Sequence, residues 1–281
     1  MTRLFLGLVC LLPGLVLVVV GAFWLPFSPT AVVDKPFLSP SLSHPFGTDW
    51  FGRDLLARVM VGGRASWTVT SVSVAVAGVL GVFLGLVAGY FRGPLGEVLV
   101  RLADGILAFP SILLALIIAA VLGRGVLGVT LALTIFNLPY FLRLAHAKAL
   151  ELREQEFVIA AKAAGANALR VLLFHILPNL ASPLLVQTTF ALGTSLLAEA
   201  SLSYLGLGVQ PPQPTWGRML WEAQSWLAQS PWPAIFPGLV MALAILGLNL
   251  LGDFLRDLLD PHLRPILSPF RLRRAEERKA G

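Results

Sequence analysis

Long runs of apolar residues are the feature that most constrains this chain. Hydrophobic residues make up 57% of its 281 residues, charged residues only 13%, and the mean hydropathy is +0.81. A soluble protein of this size has no single core large enough to bury that fraction of its residues. The composition therefore predicts an all-α membrane protein with most of the chain in lipid.

The apolar runs predict six membrane spans, each long enough to cross a hydrocarbon core of about 30 Å. They cover residues 4–25, 67–88, 106–122, 126–142, 183–207 and 234–251. The first run is long for the apolar part of a secretory signal and lacks a small-residue cleavage site, so we expect it to be retained. Six spans place both termini on the same side.

The distribution of lysine and arginine predicts the orientation. With a cytoplasmic N-terminus, 15 of the 21 basic residues fall on the cytoplasmic side and 6 on the opposite side. This asymmetry favours cytoplasmic N- and C-termini. The net charge of +6 is scattered at the ends of apolar runs, which indicates topology signals and no nucleic-acid site. Cys10 is the only cysteine, so an internal disulfide is excluded.

This topology suggests three parts. Residues 1–66 would form the N-terminal span with an external segment, residues 67–256 a five-helix core, and residues 257–281 a basic cytoplasmic tail. The longest cytoplasmic loop, at about 150–180, would lie inside the core. The external segment contains Asp54 and Arg58, whose spacing predicts an i,i+4 ion pair on a short interfacial helix.

The cytoplasmic loop is a polar and basic island whose residues predict two short helices. The first would run over about 153–164 and end at Gly165, because glycine readily adopts the left-handed conformation that terminates helices. Asn167 would cap a second helix over about 168–177, before Pro178. The alanines at 160, 161, 163, 164 and 166 give this segment little bulk. Two interpretations remain open: a helix that enters a partner's groove, or a helix that rests on lipid headgroups.

The fifth span carries a polar stripe. At 100° per residue, one face of this span presents Thr188, Ser195, Glu199 and Ser203. A carboxylate at that depth is costly unless it faces a cavity or a partner helix. The stripe either lines a transport path, with Glu199 meeting an amine or cation, or hydrogen-bonds between helices. Asn137 and Asn249 are weaker candidates of the same kind.

The segment that follows the fifth span contains many helix breakers. Gly206 and Gly208 precede Pro211 and Pro212, and further prolines and Trp216 follow. Such a segment is expected to run along the outer membrane surface or to re-enter it.

The chain contains no nucleotide-binding motif. Neither Gly-x-x-x-x-Gly-Lys-[Ser/Thr] nor a strand followed by Gly-x-Gly-x-x-Gly occurs, and the four histidines lack the spacing of a metal site. Any energy for transport would have to come from a partner.

Several short blocks together carry a family resemblance. They are His44-Pro-Phe-Gly-Thr-Asp49 with Gly52-Arg-Asp54, Gly85-Leu-Val-Ala-Gly-Tyr90, Phe109-Pro-Ser111, the Ala160-Ala161…Gly165…Leu177-Pro178 loop, Leu197-Ala-Glu-Ala200, Leu205-Gly-Leu-Gly-Val-Gln-Pro-Pro212 with Trp216-Gly217, and Asn249-Leu-Leu-Gly-Asp253 with Leu259-Asp-Pro261. In this order they resemble the inner-membrane permeases of ATP-binding-cassette importers, specifically the C-type permease of the dipeptide, oligopeptide and nickel branch. The resemblance covers nearly the whole chain.

The resemblance implies a type I importer permease fold and a place in the bacterial or archaeal cytoplasmic membrane. It implies a B-type permease, one or two ATPase subunits, an extracytoplasmic solute-binding protein and membrane lipid as partners, and no nucleic acid. ATP and Mg would be bound by the ATPase subunits, so that this chain itself is not an enzyme and holds no cofactor or metal.

The same resemblance assigns roles to particular residues. Those implied to couple to the ATPase are Glu156, Ala160, Ala161, Gly165 and Ala166, and those implied to form an outer gate region are Gly206, Gly208, Pro211, Pro212 and Trp216. Many family members carry a glutamate where this chain has Ile159. The expected cargo is peptides or related small solutes; a nickel-type permease, a secondary transporter and a non-transporting scaffold are the alternatives.

Overall fold

The computed structural model describes residues 2–91 and 93–259, and within these ranges the chain is helical with no β-strand. The long helices are α1 Thr2–Phe23, α2 Leu55–Tyr90, α3 Pro94–Leu107, α4 Ser111–Leu122, α5 Val126–Leu152, α8 Ala181–Tyr204 and α10 Trp232–Leu259. The short ones are α6 Glu156–Ala163, α7 Ala168–Val171 and α9 Trp216–Ala223. A π-helical turn, Leu172–Ile176, and a 3-10 turn, Leu177–Leu180, join α7 to α8.

Five helical segments are long and apolar enough to cross a membrane, and a bent helix pair makes a sixth. The span predicted over residues 106–122 is broken in the structure. That region is divided between α3 and α4, which meet at an angle of 98° beside Pro110. Proline lacks a backbone N–H and cannot continue the helical ladder, so the chain turns there. The 12 residues of α4 would extend only about 18 Å at 1.5 Å per residue.

Helix α2 is longer than its apolar run. It has 36 residues, about 54 Å at 1.5 Å each, and therefore exceeds a hydrocarbon core of about 30 Å. It starts at Leu55, twelve residues before the predicted span, and runs continuously across the boundary suggested after residue 66. The basic residues in its first turns lower the local hydropathy, so the apolar pattern did not indicate this extension.

The predicted Asp54–Arg58 ion pair on a separate interfacial helix is also wrong. Asp54 is the N-cap of α2, where its Oδ1 accepts a 2.8 Å hydrogen bond from the Ala57 N–H. Its Oδ2 lies 2.9 Å from His44 Nδ1. Capping the helix occupies the carboxylate, and Arg58 pairs elsewhere.

Glycines bring α2 and α5 into close contact, the most extensive in the fold. Gly81, Gly85 and Gly89 follow each other at four-residue intervals along α2 and face α5. A Cβ atom at Gly85 would overlap the Leu142 carbonyl oxygen and lie 2.8 Å from Ala145 Cβ. Small residues at this spacing let membrane helices approach closely, which explains one of the glycine-rich blocks in the sequence.

The other long helices complete one bundle. α1 packs along α10, where Gly7 and Gly247 let the two backbones approach, and α8 packs against α10 and α2. A cluster around the buried Trp216 joins α9 to α1, α2, α8 and α10. The structure describes the chain up to residue 259, so the predicted cytoplasmic tail over 257–281 lies almost wholly outside the described residues.

Candidate functional site

The predicted cytoplasmic loop folds into a compact elbow made of α6 and α7. α6 starts at Glu156, three residues later than predicted, because α5 continues to Leu152 and ends at Arg153. Gly165 ends the first helix with φ of +87°, and Asn167 Oδ1 accepts a 2.8 Å hydrogen bond from the Arg170 N–H. The predicted glycine stop and asparagine cap are therefore present.

The second helix is more irregular than predicted. Its α-helical part covers only Ala168–Val171 and then loosens into the π-helical and 3-10 turns. Pro178 lies in the 3-10 turn, where its missing N–H removes one helical hydrogen bond. The elbow thus passes into α8 without a long loop.

One side of the elbow is anchored in the bundle. Val158 of α6 is completely buried, as are Val171 and Ile176. They pack with Leu86 of α2 and Ala145 of α5, toward the C-terminal ends of these helices. These contacts connect α6 to α2 and α5 through one buried apolar cluster.

Two cationic side chains tie the elbow to the end of α2. Arg153 Nη1 donates a 3.0 Å hydrogen bond to the Tyr90 carbonyl oxygen. Lys162 Nζ lies 4.9 Å from the centroid of the Tyr90 ring, within the range of a cation–π contact. These contacts join residues far apart in the chain, and no local sequence pattern indicated them.

The other side of the elbow is open. Glu156, Ala160 and Gly165 are exposed, and Ala161 and Ala166 are partly buried. The sequence analysis stressed the lack of bulk here and missed two large apolar side chains: Phe157 is 44% exposed and Ile159 55%. Their positions on either side of the buried Val158 were the available signal. Residues two apart on an α-helix lie about 160° apart around its axis, so Phe157 and Ile159 project from opposite flanks of α6, where each is available for protein contact.

The polar stripe of α8 lies mostly inside the bundle. Ser195, Glu199 and Ser203 are buried, whereas Thr188 is partly buried and donates a 2.8 Å hydrogen bond to the Leu184 carbonyl of its own helix. Asn137 of α5 donates a 2.8 Å hydrogen bond from Nδ2 to Ser195 Oγ. The stripe therefore connects helices in this conformation.

Glu199 is held by a serine of its own helix. Ser203 Oγ donates a 2.6 Å hydrogen bond to Glu199 Oε1, and the Ser66 side chain of α2 lies beside the same carboxylate. Glu199 Oε2 has no hydrogen-bond partner among the described residues. Ser66 Oγ has no other hydrogen-bond partner among the described residues, so its hydroxyl is the available donor for this buried carboxyl group.

The predicted gate region contacts the stripe directly. α8 ends at Tyr204, Gly206 follows with φ of +82°, and the Leu207 N–H donates back to the Leu202 carbonyl over 3.0 Å. The next glycine, Gly208, lies so close to Ser203 that a Cβ atom would overlap the hydroxyl. Pro211 and Pro212 are exposed, and the peptide bond between them is cis.

Trp216 fixes the far end of that segment. Its side chain is fully buried, and its Nε1–H donates a 2.9 Å hydrogen bond to the Val59 carbonyl oxygen of α2. A Cβ atom at Gly217 would overlap the Ala200 backbone, so α9 lies directly on α8. The five predicted gate residues thus belong to one continuous external structure that rests on α2 and α8.

An ionic cluster crosses this external structure. Its members are Asp49, Arg53, Arg58, Arg218 and Glu222. Arg58 is buried, with Nη2 at 2.8 Å from Glu222 Oε2 and Nε at 3.5 Å from Asp49 Oδ2. Arg53 Nε lies 2.6 Å from the same Asp49 oxygen, and Arg218 Nε lies 3.2 Å from Glu222 Oε1. The cluster pins the external segment before α2 to α9.

Comparisons with known proteins agree with these features. A family model described as binding-protein-dependent transport system inner membrane component matches residues 81–265. The chain is 45% identical over 225 residues to a dipeptide transport system permease protein of Alkalihalophilus pseudofirmus, covering 80% of this chain and 74% of the relative. It is 43% identical over 253 residues to a glutathione transport system permease protein of Escherichia coli, covering 89% and 84%.

A solved structure shares the fold. The match is to a chain of the MetNI methionine ABC transporter in an inward-facing conformation, with a TM-score of 0.59 and 17% identity. It covers 71% of this chain and 95% of the other. At that identity the similarity supports the fold alone.

Proposed function

Because the chain belongs to the family of binding-protein-dependent transport system inner membrane components, we propose that it forms half of the translocation pathway of an ATP-driven peptide importer. It is an all-α permease of the type I importer fold, located in the bacterial inner membrane. The relatives named for dipeptide and glutathione transport support peptides or related small solutes as cargo.

The observation that carries the coupling role is the two-sided elbow. One side buries Val158 against α2 and α5, and the other exposes Phe157 and Ile159. When two ATPase subunits close on ATP, a subunit bound to the exposed side would displace α6. The interlocked α2 and α5 would follow, and the pathway would change from inward-open to outward-open.

The proposed partners follow from that mechanism. ATP and Mg would be held by one or two separate ATPase subunits, while a B-type permease would complete the pathway. A solute-binding protein would deliver cargo to the external structure around Trp216. We assign the ATPase contact to Glu156, Ala160, Ala161, Gly165 and Ala166, and we add Phe157 and Ile159 on the basis of their exposure.

The pathway role of the α8 stripe stays a prediction. In this conformation Ser203 and Gly208 cover Glu199. The carboxyl group would therefore meet a substrate amine only when the gate segment, residues 206–216, moves away. The test is Glu199→Gln, which keeps an acceptor for the serine and removes the charge. A lower uptake rate with unchanged complex assembly is expected. Uptake equal to wild type for every cargo would show that Glu199 has no role in the pathway.

Co-purification tests the coupling role. The tagged chain is co-expressed with its ATPase and permease partners, and Ala161→Glu, Phe157→Glu and Gly165→Asp are compared with wild type. We expect each variant to insert into the membrane and lose the ATPase, because a new charge or backbone strain disturbs the exposed side. Leu42→Glu, at a fully exposed external position, is the control.

Retention of the ATPase by all three elbow variants would contradict the proposal. Orientation is tested separately by labelling of Lys162, which a membrane-impermeant amine reagent should reach only in inverted vesicles. Labelling from the outer face of intact cells would overturn the topology on which the coupling role rests.

A further inference from the structure

A cavity of about 750 Å³ opens between the external segment, the outer end of α2 and the gate segment. Residues on its wall include Thr30, Ala65, Thr68, Val126, Gln213 and Pro214, and Arg64 is the only charged side chain among the described residues that line it. A few polar groups on a largely apolar wall, at this volume, are typical of small-molecule sites. No part of the elbow or the α8 stripe contributes to it.

The external side of the described chain has arginines that lack an acidic partner. The external acidic residues are Asp34, Asp49, Asp54 and Glu222, and each one is already engaged. Their partners are His44 and the arginines of the ionic cluster. Arg64 and Arg124 have no ion-pair or side-chain hydrogen-bond partner within residues 2–91 and 93–259, and both are exposed. Arg64 lines the cavity, and Arg124 is two residues from Val126 on its wall.

We infer that this cavity receives the carboxylate of the cargo, with Arg64 as the binding residue. A guanidinium pairs with a carboxylate through two parallel hydrogen bonds, which selects a planar anion over other groups. Thr68 Oγ donates to the Arg64 carbonyl over 2.8 Å and keeps its lone pairs free to accept from a peptide N–H. The Gln213 amide supplies a donor and an acceptor.

The inference rests on the proposed function and specifies the class of cargo further. Two unpaired arginines repel a divalent cation and attract a solute with a free carboxylate. A peptide with a free C-terminus satisfies this requirement, whereas a nickel ion does not. The cavity therefore favours the peptide alternative over the nickel-type alternative.

Cysteine protection tests the inference in the complete importer with its solute-binding protein, reconstituted in vesicles. Ala65→Cys on the cavity wall is introduced in a Cys10→Ser background and labelled from outside with a membrane-impermeant maleimide. Alanyl-alanine should slow the labelling, and its C-terminal amide should not. Leu42→Cys, exposed and remote from the cavity, should label equally under all conditions.

Arg64→Gln is then combined with the same reporter. Loss of one charge-assisted interaction is expected to raise the alanyl-alanine concentration for half-protection about tenfold or more. Arg64→Lys should recover part of the effect, and Lys35→Gln, an external cation away from the cavity wall, should have none.

Any of three labelling results would overturn the inference: no protection by alanyl-alanine, equal protection by the amide, or an Arg64→Gln variant that is protected like wild type. Release of a partner subunit by Arg64→Gln would also overturn it, because the arginine would then be an interface contact. ATP-dependent uptake of labelled alanyl-alanine in the same vesicles measures the proposed transport function separately. A failure of the carboxylate site can therefore be distinguished from a failure of the transport function.

Discussion

Ser203 donates a 2.6 Å hydrogen bond from Oγ to Glu199 Oε1, and the backbone of Gly208 lies against the same serine. The buried acid of α8 is therefore one side chain away from the external gate segment. Any movement of that segment changes the packing around Ser203, and with it the environment of Glu199. The structure joins two features that the sequence presents as separate motifs.

Gly208→Ala should disturb this contact. The added Cβ would overlap the Ser203 hydroxyl, and overpacking of this kind typically costs about 1–3 kcal/mol. We expect a lower thermal unfolding midpoint for the purified permease complex and a reduced rate of peptide uptake. Gly238→Ala is the control, because its Cβ meets only Leu220 Cδ2 at 3.6 Å. Equal behaviour of the two variants would contradict the close contact.

Gly85→Ala should destabilise the pairing of α2 with α5. Its Cβ would overlap the Leu142 carbonyl oxygen, which belongs to a helix backbone and cannot rotate away. We expect a loss of about 1–3 kcal/mol in the free energy of unfolding, measured by thermal or denaturant unfolding in detergent.

Gly78→Ala is the matched control in the same helix. Its Cβ would lie 3.7 Å from the Phe141 ring, an ordinary van der Waals distance. Because alanine favours a helix by about 1 kcal/mol over glycine, this variant should be neutral or more stable. A Gly78→Ala variant as unstable as Gly85→Ala would mean that α2 and α5 do not pack in this register.

The sequence predicted those parts of the fold that depend on local chemistry. Apolar runs located five of the helices because hydropathy acts over each run separately. Gly165 and Asn167 marked the turn of the elbow because helix termination and capping involve only neighbouring residues. The sharp bend at Pro110 was missed, although the proline itself is the usual signal for such a break.

Long-range contacts were not predictable from the pattern. Arg58 pairs with Glu222, 164 residues away, while its spacing from Asp54 suggested a false local pair. The free arginine of the external cavity became recognisable only after every external acid had a known partner. The exposure of Phe157 and Ile159 likewise depends on which face of α6 packs against the bundle.

Asp49→Asn should weaken the external ionic cluster. The Asp49 side chain is fully buried, lies against Arg53 and Arg58, and accepts hydrogen bonds from the Phe51 and Arg53 N–H groups. Removing one member of a buried ion pair leaves charge uncompensated and costs about 3–5 kcal/mol. A large fall in the unfolding midpoint is expected.

Asp257→Asn is the control for that measurement. Asp257 pairs with Arg3 at 2.7 Å, but both side chains are about half exposed. An exposed pair contributes at most about 1 kcal/mol, so the midpoint should hardly change. Similar losses in the two variants would show that the cluster around Asp49 is open to solvent.

Substitutions at Gly165 should separate backbone strain from steric contact in the elbow. The residue has φ of +87°, and a Cβ atom there would meet nothing within 4 Å. The left-handed conformation costs an ordinary residue about 1–2 kcal/mol, and asparagine less. In the isolated permease, hydrogen exchange at residues 161–171 should therefore be fastest for Gly165→Val, intermediate for Gly165→Ala and slower for Gly165→Asn.

Gly105→Ala is the control, because this glycine also faces open space but lies within a helix, and it should leave exchange in the elbow unchanged. Equal exchange in all the Gly165 variants would mean that the elbow does not depend on this turn, and the coupling role would then have to rest on the anchored Val158 alone.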